Sequence, residues 1–151
     1  MTHKSGMNSE VLCRGRFFGG VVTMWKNAYS SCIEVIPTEL DNCVVIKVMT
    51  QDTNIYVVNA YFPTNTLDNQ ELISECISRV ISLWRLNDVE NILILGDLNI
   101  GGSSSAFLEL KNTCEENDLL IIDDERLPSG SFTFQSEMNS RYIVDRSCHW
   151  E

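Results

Sequence analysis

The segment ILILGDLNIGG, residues 92 to 102, limits the fold more than any other part of the chain. With Asn91 in front it opens as NILIL, a run apolar on both faces, which is what a central strand covered on each side requires. It then ends on Gly96, Asp97, Leu98 and Asn99. In an extended chain side chains alternate, so Asp97 and Asn99 project to one side while Leu98 turns back toward the core. Gly96 admits another backbone or a ligand, and Gly101 with Gly102 lets the chain turn away. A plain strand-end turn, with Asp and Asn bonding their own backbone, fits the same residues, and this stretch alone leaves both readings open.

The rest of the chain supplies the layers that such a strand needs. Residues 17 to 25, 31 to 36, 43 to 49 and 54 to 62 are short, β-branched or aromatic, and separated by turn formers, so they read as four strands, the last two forming a hairpin. Ile73, Ile77, Val80, Ile81 and Trp84 then recur at helical spacing behind Asp68 and Glu71, predicting a helix over 68 to 86. Past NILIL, serines offer N-caps for a shorter helix with Phe107, Leu110 and Cys114 on its inner face. LLII, SFTF and RYIV read as three further strands. Many strands, few helices and one doubly covered strand predict an α/β fold: a four-layer α/β sandwich of mixed sheets with outer helices.

At 151 residues, with three prolines and no internal repeat, the chain reads as a single domain. No apolar run approaches the roughly 18 residues of a membrane span, and the opening MTHKSGMNSEVLCRG lacks the apolar core of a signal peptide. The expectation is an intracellular protein, nuclear or cytoplasmic, without a membrane partner; oligomeric state is not legible. Six cysteines, at 13, 32, 43, 76, 114 and 148, show no C-x-x-C pairing, so they read as small buried hydrophobes and neither as zinc ligands nor as a disulfide framework. Eleven basic residues against 21 acidic ones exclude a broad phosphate-gripping surface, so contact with nucleic acid has to be local or metal-assisted. The acidic runs at Glu115, Glu116 and Asp118 and at Asp123, Asp124 and Glu125 read as solvated surface.

A second stretch, VVNAYFPTN at 57 to 65, joins GDLN. Alternation places Asn59 and Tyr61 on one face, and Pro63 ends the strand just past the tyrosine. GRFFGGVVTMWKN, VVNAYFPTN, a helix, ILILGDLNI and a late SFTF with SRYIVD stand in the order and spacing of the endonuclease/exonuclease/phosphatase superfamily. From about residue 12 to 146 the chain resembles the apurinic-type endonuclease domain of retrotransposons without long terminal repeats.

That resemblance implies a metal-dependent DNA endonuclease or phosphodiesterase using Mg²⁺ (or Mn²⁺), with DNA as partner. By the same resemblance Asp97 orients or deprotonates the attacking water beside the metal and Asn99 holds water or phosphate. Tyr61 contacts the phosphate through its hydroxyl, and Asp145 orients a catalytic histidine. The chemistry is sound on its own terms: a hard cation takes oxygen ligands from one or two carboxylates plus phosphate and offsets the charge building on the phosphoryl oxygens.

The sequence also departs from the pattern. The family's upstream metal-binding glutamate is not found, Glu10 standing too near Gly19 and Gly20 to replace it. The terminal S-D-H is not found either, leaving His149 as the candidate histidine and His3 outside the site. The expectation is therefore a truncated domain lacking terminal strands, weakly active or inactive as these 151 residues. A non-catalytic remnant keeping the fold, and a phosphatase of small or lipid-linked monoesters, are the alternatives. The acidic balance favours the phosphatase; Arg14, Arg16, Arg141 and Arg146 oppose it.

Overall fold

The computed structural model describes residues 1–4, 20–86, 91–101, 104–122, 126, 128, 134–135, 141–142 and 148–150, the last three segments and positions 84 and 86 by their backbone. Its strands are β1 (Thr2–Lys4), β2 (Val21–Thr23), β3 (Ile33–Ile36), β4 (Cys43–Met49), β5 (Asn54–Tyr61), β6 (Ile92–Asp97), β7 (Leu119–Ile121), β8 (Phe134–Gln135), β9 (Arg141–Tyr142) and β10 (Cys148–Trp150). Helix α1 (Gln70–Leu86) separates β5 from β6, and α2 (Ser105–Glu115) separates β6 from β7.

Six strands form one mixed sheet in the order β3-β4-β5-β6-β10-β7. β4 and β5 are the expected antiparallel hairpin, whose turn is closed by the Thr50 hydroxyl donating to the Thr53 carbonyl at 2.7 Å. β5 and β6 run parallel, because α1 carries the chain back across one face of the sheet between them. NILIL thus becomes an inner strand, flanked by β5 and by β10. β10, which the sequence reading did not foresee, enters antiparallel to both β6 and β7.

The two faces of this sheet are covered differently. On one face Cys43, Val45, Val58, Ala60, Ile92 and Ile94 pack under Ile73, Ile77, Val80 and Ile81 of α1 and Ala106, Leu110 and Cys114 of α2. Ser104 caps α2 by accepting from the Phe107 N–H at 3.1 Å, and α1 is tied to the turn after α2 by Arg85, whose guanidinium donates to the buried Asn117. On the other face the β1–β2 ribbon lays Val21 against Val44 and Ile46, with Trp25, Val57 and Tyr61 around them. Helices, sheet and a further β layer make this an α/β sandwich.

Some boundaries moved. α1 starts at Gln70, not 68, because residues 67–69 form a 3-10 turn ahead of it. In the 17 to 25 and 31 to 36 stretches the described strands are Val21–Thr23 and Ile33–Ile36, the latter behind a 3-10 helix at Asn27–Cys32. Phe107 packs on the core only partly buried, while Ala106 is fully buried. Cys43, Cys76 and Cys114 are buried, as expected of small hydrophobes, and Cys32 is half-buried.

Candidate functional site at the ends of two parallel strands

β5 and β6 pair in register from Tyr56 with Ile92 to Tyr61 with Asp97. Parallel partners face the same way, so Tyr61 and Asp97 stand side by side at the strand ends, about one inter-strand spacing of 4.8 Å apart along the backbone. Both are half-buried. Ile92 and Ile94 belong to the helix-side core, so alternation sends Asp97 to the opposite face, where Tyr61 also packs.

Gly96 makes this approach possible. Its φ is +133°, and a Cβ added there would lie 1.9 Å from the Ala60 carbonyl oxygen. The close neighbour that the sequence left open is therefore the β5 backbone. Gly101 has no such role: a Cβ there would meet nothing within 4 Å. The chain already bends at Asn99, whose φ of 50° is left-handed, a conformation asparagine accepts better than most residues. The Asp97 carboxylate accepts the Asn99 N–H at 3.2 Å, which is the Asp/Asn turn weighed against a functional reading.

The side-chain amide of Asn99 donates to the Phe62 carbonyl at 2.9 Å, while the Phe62 N–H donates to the Asp97 carbonyl at 2.9 Å. Two further asparagines hold the same strand end. Asn42 donates to the Tyr61 carbonyl at 2.8 Å, and its own carbonyl accepts the Tyr61 N–H at 2.9 Å. Asn59 donates to the Val22 carbonyl at 3.1 Å and the Thr23 hydroxyl at 3.2 Å, tying β5 to the β1–β2 layer. The carbonyls of residues 61 and 62, at and just past the end of the ladder, are satisfied by amide side chains. Sequence reading missed Asn42, although hairpin register carries the signal: β4 starts at Cys43 opposite Ala60, which sets residue 42 opposite Tyr61.

The donor set allows a test of metal fit. With its amide nitrogen on Phe62, Asn99 turns its Oδ1 elsewhere, so the strand end offers one carboxylate and one neutral oxygen. Among the described residues no group of three or more His, Cys, Asp or Glu could hold a metal ion by itself. One carboxylate plus an amide oxygen suits Mg²⁺ or Mn²⁺ completed by water and phosphate, and does not suit a zinc cage.

Asp145, Glu10, Arg14, Arg16 and Arg146 lie outside the described residues. His149 lies on β10 with its backbone paired to Leu93, four residues before Asp97 and so roughly 13 Å down the strand. His3 is exposed on β1. Glu115, Glu116 and Asp118 are exposed, as expected of solvated surface. No helix among the described residues is long and apolar enough to cross a membrane.

Neither a family model nor a curated protein matches the chain. Solved structures do. The endonuclease domain of TRAS1, a telomere-specific non-LTR retrotransposon, aligns with a TM-score of 0.61 at 19% identity over 79% of this chain and 56% of that one. Humanised TDP2 of D. rerio gives 0.58 at 12% identity over 80% and 53%. Sphingomyelinase C of Streptomyces griseocarneus gives 0.54 at 14% identity over 74% and 43%. An endonuclease/exonuclease/phosphatase family protein of Bacteroides thetaiotaomicron gives 0.53 at 12% identity over 72% and 40%. The chain spans about half the length of these structures. Its fold is that of the endonuclease/exonuclease/phosphatase superfamily.

Proposed function

We propose that this chain is a phosphodiesterase-type domain of the DNA endonuclease class, of retrotransposon origin, with Asp97, Asn99 and Tyr61 in its site. One observation carries the reading: Tyr61 and Asp97 end adjacent parallel strands in register, and Asn99 is tied to the same strand end through Phe62. The likeness to the TRAS1 endonuclease domain and to TDP2, one of whose solved forms holds a single-stranded DNA product, supports DNA as the substrate class.

In this reading Asp97 holds the attacking water and takes its proton, while the Asn99 Oδ1 accepts from a second water that bridges to the phosphate. The Tyr61 hydroxyl donates to a non-bridging phosphate oxygen. A divalent ion held by Asp97 and Asn99 would supply charge stabilisation at the phosphoryl oxygens. Asp145 would orient the histidine that donates to the same oxygens. Each preorganised donor of this kind is worth about 10²-fold in rate or more. With no S-D-H in its sequence, this chain is expected to nick supercoiled DNA in Mg²⁺ no faster than its Asp97→Asn variant.

The site itself is tested without turnover. Mn²⁺ should broaden the amide resonances of residues 96–99 and 61 at micromolar to millimolar concentrations, and Asp97→Asn should abolish the effect. Broadening that ignores the substitution would remove Asp97 from the site, and the non-catalytic reading, in which Asp97 and Asn99 serve the turn alone, would take its place. A phosphatase of small or lipid-linked monoesters is the second reading, supported by the net charge of −10. Hydrolysis of inositol phosphates without DNA cleavage would select it.

A further inference from the structure

A cavity of about 590 Å³ opens between α1, the loop before β4 and the end of β5. Tyr61 and Asn42 reach it from the strand end, whereas neither Asp97 nor Asn99 lines it, so it adjoins the strand-end cluster and shares Tyr61 with it. Its apolar part comes from Leu40 and Cys76, both buried, and from Leu72, which keeps 49% of its surface exposed. A half-exposed leucine at the mouth of a cavity this size is ordinary in a small-molecule site, where an apolar bed is joined by a few polar groups that fix orientation.

The polar groups are strongly biased in sign. Glu39, Asp41 and Glu75 line the cavity against a single cation, Arg79. Arg79 is already paired with Glu75 one helical turn away. That leaves Glu39 and Asp41, both exposed and flanking Leu40, without an ion pair among the described residues. Lys4 does not offset them within the cavity: it is absent from the lining, and its ammonium donates to the carbonyls of Thr38 and Leu40. Asn42 donates to neither carboxylate, since its amide nitrogen donates to the Tyr61 carbonyl and the Cys76 sulfur.

We infer that this cavity binds a small organic cation: an ammonium or guanidinium group on an apolar body, the charge set between Glu39 and Asp41 and the body laid on Leu40, Leu72 and Cys76. An anion is disfavoured by the rim, and a neutral apolar molecule leaves both carboxylates unused. The inference does not depend on the proposed nuclease reading: Tyr61 borders both places, but the charge is set by Glu39 and Asp41 and the apolar bed by Leu40, Leu72 and Cys76.

Three matched probes decide it by NMR titration of the full chain: phenethylamine, phenethyl alcohol and phenylacetate. Phenethylamine should give saturable shifts at the amides of Leu40 to Asn42, Leu72 and Cys76, with the alcohol at least about fivefold weaker and the acid silent, as one exposed ion pair is worth up to roughly that factor. Glu39→Gln combined with Asp41→Asn should weaken the amine about tenfold and leave the alcohol unchanged. Leu72→Gln, at an exposed side chain that the fold does not need, should weaken amine and alcohol alike. Equal binding of amine and alcohol, binding of the acid, or absence of saturable shifts at millimolar amine would overturn the inference. Amine shifts scattered over the whole acidic surface, reproduced by spermidine, would do so too, since they would show unspecific counterion attraction.

Discussion

The two faces of the six-stranded sheet use the same strands for opposite ends. Toward the helices, β4, β5 and β6 present Cys43, Val45, Val58, Ala60, Ile92 and Ile94, all buried in one continuous core. Toward the β1–β2 ribbon the same strands present Val44 and Ile46, and then Asn59, Tyr61 and Asp97, half-buried and polar, as β5 and β6 run out. The first face carries stability; the second, at its strand ends, carries groups able to do chemistry. What links them is the strand pairing at Gly96, which serves both faces at once.

The largest effect should come from breaking that link. Gly96→Ala places a methyl 1.9 Å from the Ala60 carbonyl at a φ of +133°, so β6 has to move or the residue has to abandon its conformation. Overpacking and backbone strain together should cost about 4 kcal/mol, read as a lowered urea midpoint or as failure to fold. Truncation within the helix-side core comes next. Ile77, 2% exposed under the sheet, should lose about 3 kcal/mol as Ile77→Ala, whereas half-buried Val57→Ala on the other face should lose about 1 kcal/mol. Equal losses at the two positions would break the comparison.

A third substitution separates turn from ligand. Asn99→Ala removes both a tolerant left-handed residue and the amide that satisfies the Phe62 carbonyl, for about 2 kcal/mol. Asn99→Gly restores the backbone and not the amide, so it should recover about half of that in the same unfolding experiment.

Much of this was legible in the sequence, for identifiable reasons. Short β-branched and aromatic runs between turn formers located β4 and β5, the helical spacing of Ile73, Ile77, Val80 and Ile81 located the buried face of α1, and parity set Asp97 apart from Leu98. Each of these signals is local. β10 was not legible, because Cys148–Trp150 is three residues long and is held as an inner strand by β6 and β7, partners far away in sequence. The left-handed residue at Asn99 was not singled out, because a positive φ at asparagine is a tolerance and not a pattern in the sequence. The clamps by Asn42 and Asn59 depend on register and on layer packing, which alternation alone does not reveal.

Burial on the helix side should also show in alkali. Desolvation pushes the Cys43 thiol up from 9.0 to about 12, with Lys4 opposing and Cys76 adding slightly, and Cys76 is raised too, chiefly by burial. The folded state thus holds a proton that the unfolded chain releases near pH 9. This contribution is fully present below pH 9 and is lost as pH rises toward 12. By pH 10 the loss should amount to about 1.4 kcal/mol, and Cys43→Ala should flatten that part of the stability curve.

The smallest effect on stability should fall on the residue with the greatest effect on the site. Asp97→Asn keeps an oxygen able to accept the Asn99 N–H, and it leaves Leu98 and the β5–β6 pairing as they are. Unfolding should shift by less than about 1 kcal/mol. The amide has lost the charge a divalent ion needs, so Mn²⁺ broadening at residues 96–99 should disappear while the fold persists. A functional carboxylate at this strand end predicts that split between stability and metal response. If Asp97→Asn instead unfolded the chain as readily as Ile77→Ala, the carboxylate would belong to the structural half of the molecule, and the division between the two faces would fail at its most telling position.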